Sequence, residues 1–477
     1  MMKSELDKCD YLLKAGDVSG ATLIIRSLQP RSISRPNRLR LARLCRRARL
    51  FEDGLKILGQ TVRGGLEKPT NQEAAEYAVL LAWNGSHSEA LQILTSINPD
   101  EVPEIRLHRA FCHILQWNYG MAAEELTFVV TTETDDYKRL VARVNLASAY
   151  LNNGDIEKAE ELATANVDLA RELKAQRLLG NSLEVRSQIW LRLQSFERCH
   201  ADLDAAAQVL SGSTWDTSFI QKWRSIARAM ETQNPDPIVE FRSTAVSSRQ
   251  VESVRDADFY WLKVAFDRNR FDHLYIGTPH LSYRRRMCIE FSISPPEGFY
   301  LGGRNNPALH ADTGDSPTIT NPGMKLSRLI QILTRDFYAG TRLGEIFAHL
   351  YPGEHFDINS SPGRVRQIIS RARKWMQDQG TGFDIWFSEG TYHLTVSGPM
   401  SVYVPNTSWI KDEVDAHLQR LTTKIPRLEF SSTEAAEALG ISRPQFTRYA
   451  RALVDRGRLE RSGSGKYVRY KILPKAG

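Results

Sequence analysis

"NLASAYLNNGDIEKAEEL", Asn145 to Leu162, decides the architecture of the first half of this chain. A small residue, Ala147, precedes Tyr150. A turn at Gly154-Asp155 follows, then Ile156, Ala159 and Ala163. Two helices cross closely only where small side chains let their backbones approach, and large apolar residues on the flanks then fill the groove between neighbouring hairpins. The same frame recurs in "DYLLKAGDVSGATLII" (Leu12, Gly16, Val18, Ala21), in "YAVLLAWNGSHSEALQIL" (Ala78, Leu81, Gly85, Ala90, Leu94) and in "RAFCHILQWNYGMAAEEL" (Ala110, His113, Tyr119, Ala122, Leu126). Looser copies run through Ala42-Cys45-Phe51-Gly54 and Ser187-Trp190-Phe196-Cys199. Aligned on the small residue of the second helix, the marks fall at 21, 54, 90, 122, 159 and 199, spaced by 33, 36, 32, 37 and 40. A repeat of this length is a helical hairpin that buries its apolar face only against its neighbours.

Over roughly residues 2–210 the pattern resembles the tetratricopeptide repeat, although that family's Trp and Pro positions are mostly missing. The resemblance implies an α-solenoid with a concave groove that binds a peptide or a protein. The alternative is a rigid arm or a dimer surface. We assign residues 1–235 to this domain, with "TWDTSFIQKWRSIARAM" (214–230) as a closing helix and "NPDP" (Asn234 to Pro237) as the break. Residues 236–301 mix helix-like and strand-like runs, among them "CIEFSI", and form an unassigned connecting α/β region. Residues 302–323, rich in Gly, Pro, Asn, Asp and Thr, read as a linker.

The chain has 477 residues and a net charge of +7. Its charge is uneven: residues 1–235 carry 30 basic and 30 acidic side chains, 323–398 carry 9 and 7, and 427–477 carry 11 and 5. The positive excess of the last segment suits a polyanion. There is no run of eighteen apolar residues, so no membrane-spanning helix is expected. Five scattered cysteines without a Cys-x-x-Cys pair argue against a disulfide framework and against a metal site, and fit a reducing cytoplasm.

Residues 324–398 read as three helices and a hairpin. "MKLSRLIQILTRD" carries a helical apolar stripe, Thr341 can cap "RLGEIFAHLYP", and Ser361-Pro362 opens a third helix. On that helix Val365, Ile368, Ile369, Ala372 and Met376 share one face, while Arg366, Gln367, Ser370, Arg371 and Lys374 lie on the outer side. "FDIWFSEGTYHLTV" then alternates around a turn at Glu389-Gly390. Three helices and a hairpin make a winged helix, and the basic third helix is the one that enters a major groove. Leu350-Tyr351-Pro352 and Arg366-Gln367-Ile368-Ile369-Ser370-Arg371-Ala372-Arg373 resemble the "LWP" segment and recognition helix of OmpR/PhoB-type effector domains and of the SARP antibiotic regulators. The resemblance makes "CIEFSI" a counterpart of their small N-terminal sheet. It implies duplex DNA as a partner, with protein contact or dimerisation as the alternative. No acidic phosphoacceptor pocket accompanies it.

After a connecting helix (399–426), residues 427–477 repeat the scheme. Ser431 and Glu434 form a capping box before "TEAAEALG". Ser442 can cap the next helix, with Pro444 in its first turn. There Phe446, Ala450, Leu453 and Val454 face inward, and Arg443, Gln445, Thr447, Arg448 and Arg451 face outward. Arg reads guanine bidentately and Gln reads adenine, so this face has the chemistry of base recognition. Arg461 and Lys466 sit at the following hairpin, around Gly463-Ser464-Gly465. The stretch "ALGISRPQFTRYARALVDRGRLERSGSGKYVRY" resembles the bacterial winged helix-turn-helix. A phosphate-binding loop is excluded by spacing, because Glu460 stands where its first glycine is needed and Tyr467 follows Lys466.

No catalytic constellation, cofactor site or metal site is expected. His108, Cys112 and His113 share one hairpin, but the repeat frame accounts for His113 as a packing position. The eight arginines between Arg31 and Arg49 read as a solvated stripe or a surface for an acidic partner, and Arg284-Arg285-Arg286 as a phosphate contact, a solvated edge or an ion-pair cluster. The expected fold is mainly α: a tetratricopeptide-like solenoid followed by two winged-helix (α+β) domains. The expected function is a cytoplasmic, non-enzymatic transcription regulator that joins the nucleoid when it binds double-stranded DNA. Its repeats take a protein or peptide, a homodimer would double its site, and no membrane is involved. The alternative is a scaffold subunit resembling the PCI family, in which the winged helices mediate assembly.

Overall fold

The computed structural model describes residues 2–14, 17–28, 33–63, 68–210, 214–302, 323–397, 400–406, 418, 421, 425, 429–439, 441–455, 457–463 and 468–473. The chain is mainly helical and forms two compact units, residues 1–405 and 406–477. Among the described residues no helix is long and apolar enough to cross a membrane.

The first unit is built from helical hairpins. They pair α1 (Met2–Lys14) with α2 (Val18–Ser27), α3 (Arg35–Arg47) with α4 (Phe51–Arg63), and α5 (Asn71–Trp83) with α6 (His87–Thr95). Next come α7 (Ile105–Leu115) with α8 (Tyr119–Thr132), α9 (Asp136–Asn153) with α10 (Ile156–Glu172), and α11 (Gln176–Arg192) with α12 (Phe196–Val209). All six small residues that mark the repeat are buried: Ala21, Gly54, Ala90, Ala122, Ala159 and Cys199. At Gly54 a β-carbon would stand 2.9 Å from the Leu80 side chain, so a larger residue there would push Leu80 of the neighbouring hairpin aside. Five residues before each of the last five marks the chain turns through a left-handed residue: Arg49, Gly85, Trp117, Gly154 and Gln194, all with positive φ. Only two of these are glycines, which is why the other copies look divergent in sequence although the backbone repeats.

The array does not close at residue 230. Asn234-Pro235-Asp236-Pro237 is the turn of another hairpin, α13 (Thr214–Thr232) with α14 (Asp236–Ser247). Asn234 Oδ1 accepts the Asp236 N–H, and Pro237 sits in the first turn of α14, where its missing N–H is harmless. The unassigned stretch continues with α15 (Val251–Val264), α16 (Arg268–Ile276) and α17 (Leu281–Phe291). "CIEFSI" is therefore not a strand: its first four residues end α17, and Ser292 closes that helix in the left-handed region. Tyr283 and Met287, one turn apart on α17, are buried against the repeats, and this helical spacing overrides the β-branched look of the run. The upstream strand lies later, at β1 (Gly298–Gly302). It pairs antiparallel with β5 (Ser401–Pro405), so the start of the expected 399–426 connecting helix is a strand. Most of the rest of that segment, and residues 303–322 of the linker, lie outside the described residues.

Between β1 and β5 stand α18 (Met324–Leu333), β2 (Thr341–Arg342), α19 (Leu343–Leu350), α20 (Ser361–Asp378), β3 (Phe383–Ser388) and β4 (Thr391–Val396). The sheet order is β2-β4-β3. The β3–β4 turn places Glu389 (φ 50°) and Gly390 (φ 78°) in the left-handed region, the geometry of a tight two-residue hairpin. Thr341 does not cap α19: its hydroxyl donates to the Ile332 carbonyl, and Arg342 stands at the cap without a side-chain bond. The α20 entrance is ordered by Asp357, whose carboxylate accepts from the Asn359 and Ser360 N–H groups.

This module is clamped on the repeats at several points far apart along the solenoid. Glu89 of α6 accepts from the Phe356 N–H (2.9 Å), lies 3.1 Å from His355 Nδ1 and pairs with Arg63. The Gly344 N–H donates to the Asn84 carbonyl at 3.2 Å. At the other end Arg255, fully buried on α15, donates to both carboxylate oxygens of Asp336 at 3.0 and 2.9 Å. The Phe337 N–H donates to the Gly277 carbonyl (3.0 Å), and the Tyr338 hydroxyl donates to Asp258 (2.9 Å). The solenoid also touches itself: the Trp117 ring stacks on His280 at 4.3 Å, and the Ser282 hydroxyl donates to the Trp117 carbonyl. A solenoid whose repeats meet only their neighbours stays open. Here α7–α8 reaches α16–α17, and the α18–α20 module spans from residues 84–89 to 255–277.

The second unit, described on its own, holds β6 (Glu429–Ser431), α21 (Ser432–Leu439), α22 (Arg443–Asp455), β7 (Leu459–Ser462) and β8 (Arg469–Ile472). Its sheet order is β6-β8-β7, the same first-third-second arrangement as in the module above. The Ser431–Glu434 capping box is present in both directions. The core gathers Phe430, Ala435, Leu439, Phe446, Ala450, Leu453, Leu459 and Tyr470.

Candidate nucleic-acid interface

In each of the two modules one helix turns its apolar side to the core and leaves a polar, basic side to solvent. On α20 the buried residues are Val365, Ile368, Ile369, Ala372 and Met376, spaced three and four apart. That stripe forces Arg366, Gln367, Ser370, Arg371 and Lys374 outward, and all five are exposed. Arg366, Arg371 and Lys374 make no ion pair among the described residues. Their neighbours do otherwise: Arg364 pairs with Glu354 (2.5 Å) and lies 3.8 Å from the Tyr351 ring centroid, and Arg373 Nε donates to the Ile385 carbonyl at 2.8 Å. The helix thus uses two arginines to hold its own fold and leaves three cations on the outside.

On α22, Phe446, Ala450 and Leu453 are fully buried, and Arg443, Thr447, Arg448 and Arg451 are exposed. The three arginines make no ion pair among the described residues. Two of the polar positions are partly engaged: the Gln445 amide donates to the Tyr449 hydroxyl (3.2 Å), and the Thr447 hydroxyl donates to the Arg443 carbonyl (3.0 Å). Ser442 caps the helix by accepting the Gln445 N–H. Arg461 is exposed on β7, and Gly463 has φ 76°, as a hairpin turn requires. Lys466 and Gly465 lie outside the described residues.

Sequence reasoning missed two groups of residues. The wing-like hairpin of the first module exposes Trp386 and Phe387, with Trp386 stacked on His393 at 4.3 Å. Its tip is tied to the repeats, because Arg249 donates to Glu389 (2.6 Å) and to the Ser388 hydroxyl (3.0 Å). The second group is the cluster around Arg255, whose guanidinium lies between the Trp117 and Tyr338 rings, 5.4 and 5.1 Å from their centroids. Partners 81 and 138 residues apart leave no local signal. The period-two pattern in "FDIWFSEGTYHLTV" could have flagged the wing aromatics.

The other basic runs are largely engaged by neighbouring groups, although Arg43 and Arg285 stay exposed. Arg35, Arg40, Arg43, Arg46 and Arg47 pair with Glu73, Asp7, Glu76, Glu76 and Asp10 of adjacent helices. The Arg35 bond holds the Glu73 carboxyl below its ordinary range. Arg284 is buried and donates to the Ile276 and Thr278 carbonyls, and Arg286 pairs with Glu290. Among the described residues no group of His, Cys, Asp and Glu is arranged to hold a metal ion. Burial pushes the Cys112 thiol up to about 12 and the His108 imidazole down to about 4. No protein-family model matches this chain, and no curated protein matches it.

Proposed function

We propose that this chain is a DNA-binding regulator of transcription, working in the cytoplasm, in which α20 and α22 are the recognition helices of two winged-helix modules. One observation carries the reading. Two modules with the same sheet order each present an amphipathic helix whose outer face holds three exposed cations without an ion pair among the described residues, with amide or hydroxyl side chains beside them. Cations of this kind meet phosphates, and Arg and Gln at a helix surface can read purine edges. The tetratricopeptide-like repeats supply the frame that holds the first reader and a surface for a protein partner.

A second reading is favoured by the docking of residues 324–397 on the repeats. In it the first module is structural, as in a scaffold subunit, and only α22 meets DNA. Selection from a random duplex pool with the full chain separates the two. Enrichment of a composite site, weakened by changes on either helix, supports two readers. A short site sensitive only to Arg443, Arg448 and Arg451 supports one. No binding at 50 mM salt would remove the DNA reading altogether.

A further inference from the structure

The contacts between the first module and the repeats have a chemistry of their own. Arg255 is fully buried, yet its Nε and one terminal nitrogen have no hydrogen-bond partner, and Glu252 lies 3.4 Å from Nε as an ion pair only. A buried guanidinium is costly unless a carboxylate meets it, and the carboxylate here comes from Asp336. Gly277 is shaped for the next residue, since a β-carbon there would stand 2.5 Å from the Phe337 ring. That ring also packs against His273 (5.1 Å) and Phe299 (5.9 Å). Tyr338 follows, its hydroxyl on Asp258, which Arg242 and Arg270 hold in place. An acidic side chain, a backbone N–H, an aromatic ring and a phenol are thus each received by a separate repeat residue.

We propose that this pocket around Arg255 is the repeat domain's recognition site for an acidic-aromatic-aromatic segment, and that its occupant is the chain's own Asp336-Phe337-Tyr338. The first module is then a ligand of the repeats bound in cis, able to leave while the repeats stay folded. The junction has the character of an exchangeable contact. Turns and side chains make its hydrogen bonds and ion pairs, while beneath them buried residues of α18–α20 such as Leu343 and Ile346 share one apolar core with Tyr77 and Leu80 of the repeats. Its outer ties are exposed and ionic, with Arg249, Glu389 and His355 all more than half exposed. Interfaces of this mixed polar kind within one chain permit relative motion.

Three backbone N–H groups of the module have their acceptors across the junction: Phe337 on Gly277, Gly344 on Asn84, and Phe356 on Glu89. Amide exchange at these three positions, measured on the full chain, reads docking directly. Asp336→Asn removes the charged acceptor, and exchange at all three should rise together by roughly tenfold. The milder Tyr338→Phe should raise all three by a few-fold. Exchange at Tyr351, whose N–H bonds within the module to Phe347, should not change. A labelled peptide of residues 335–340 should bind the full-length Phe337→Ala chain and leave wild type, whose pocket is filled, unlabelled. A rise confined to Phe337, or no rise in either variant, would overturn the proposal. So would loss of protection throughout α15–α17 along with the module, or failure of the peptide to bind the Phe337→Ala chain at about 1 mM.

Discussion

Replacing Arg443, Arg448 and Arg451 together by Gln tests the reading of α22 with a number attached. All three are exposed, and none is tied by an ion pair among the described residues, so the core of Phe446, Ala450 and Leu453 is untouched. The fold should keep its stability within about 0.5 kcal/mol. Losing Arg443 from the helix N-terminus even removes a mild clash with the helix dipole. If each arginine neutralises one phosphate, the slope of log affinity against log salt falls by about 0.9 per residue, hence by about 2.7 for three. Between 200 and 50 mM salt, wild type would gain roughly 40-fold more affinity than the variant does. Fluorescence anisotropy on a labelled duplex at four salt concentrations measures both slopes. An unchanged slope in a variant that keeps its helical circular dichroism would refute α22 as the electrostatic contact.

Gln194 is exposed with φ 56°, so Gln194→Gly should relieve about 1 kcal/mol of backbone strain and raise the thermal midpoint. At Gly344 a β-carbon would stand 2.6 Å from the Asn84 carbonyl. Gly344→Ala should therefore cost about 1–3 kcal/mol of stability, read as a lower urea midpoint, whereas helix propensity alone would raise that midpoint. Phe446 is fully buried 5.3 Å from the Tyr470 ring, and Phe446→Ala should cost about 3–5 kcal/mol. Amide protection would then vanish across 429–473 and persist in the helices of residues 71–291. Burial, aided by Arg255, pushes the His280 imidazole down to about 2. At pH 7 neither the folded nor the unfolded state is protonated there. Below about 6.5 the unfolded chain takes up a proton that the folded chain refuses, so stability falls by about 1.4 kcal/mol per pH unit. His280→Phe keeps an aromatic ring on Trp117 and should flatten that decline between pH 6 and 5, as read from urea titrations.

The repeat was legible because its marks are steric. Ala21, Gly54, Ala90, Ala122, Ala159 and Cys199 are small for one reason, the close approach of two helices, and a reader needs no other information. The outward faces of α20 and α22 were legible for a related reason, since apolar spacing fixes which side is buried and leaves the remainder outside. The reading stopped where partners are remote. "CIEFSI" looks like a strand because its residue types suit one, and only packing against the repeats makes it the end of α17. Thr341 looks like a cap, but the Ile332 carbonyl claims its hydroxyl. Arg35, Arg40, Arg43, Arg46 and Arg47 read as a solvated stripe; they keep part of that exposure but also pair with carboxylates of adjacent helices, which one dimension does not show.

The two proposed readers are unequal, and the inequality has a physical meaning. Phosphate contacts set affinity and salt dependence, while base contacts set sequence preference. Residues 427–477 carry 11 basic and 5 acidic side chains, against 9 and 7 for residues 323–398. In the first module part of the positive charge is spent inward, by Arg364 on Glu354 and Arg373 on Ile385, and its hairpin tip ends in Glu389. Arg249 of the repeats offsets that acid, which on the proposed reading would otherwise stand as a repulsive charge beside a duplex. On that reading the second unit would supply most of the electrostatic attraction, and the first module, held by Glu89 and Arg255, a helix at a fixed angle to the repeats. Undocking at Arg255 would free that angle without changing the charge on α20. A partner that competes for the pocket would therefore alter which sequences are bound far more than it alters the salt dependence of binding.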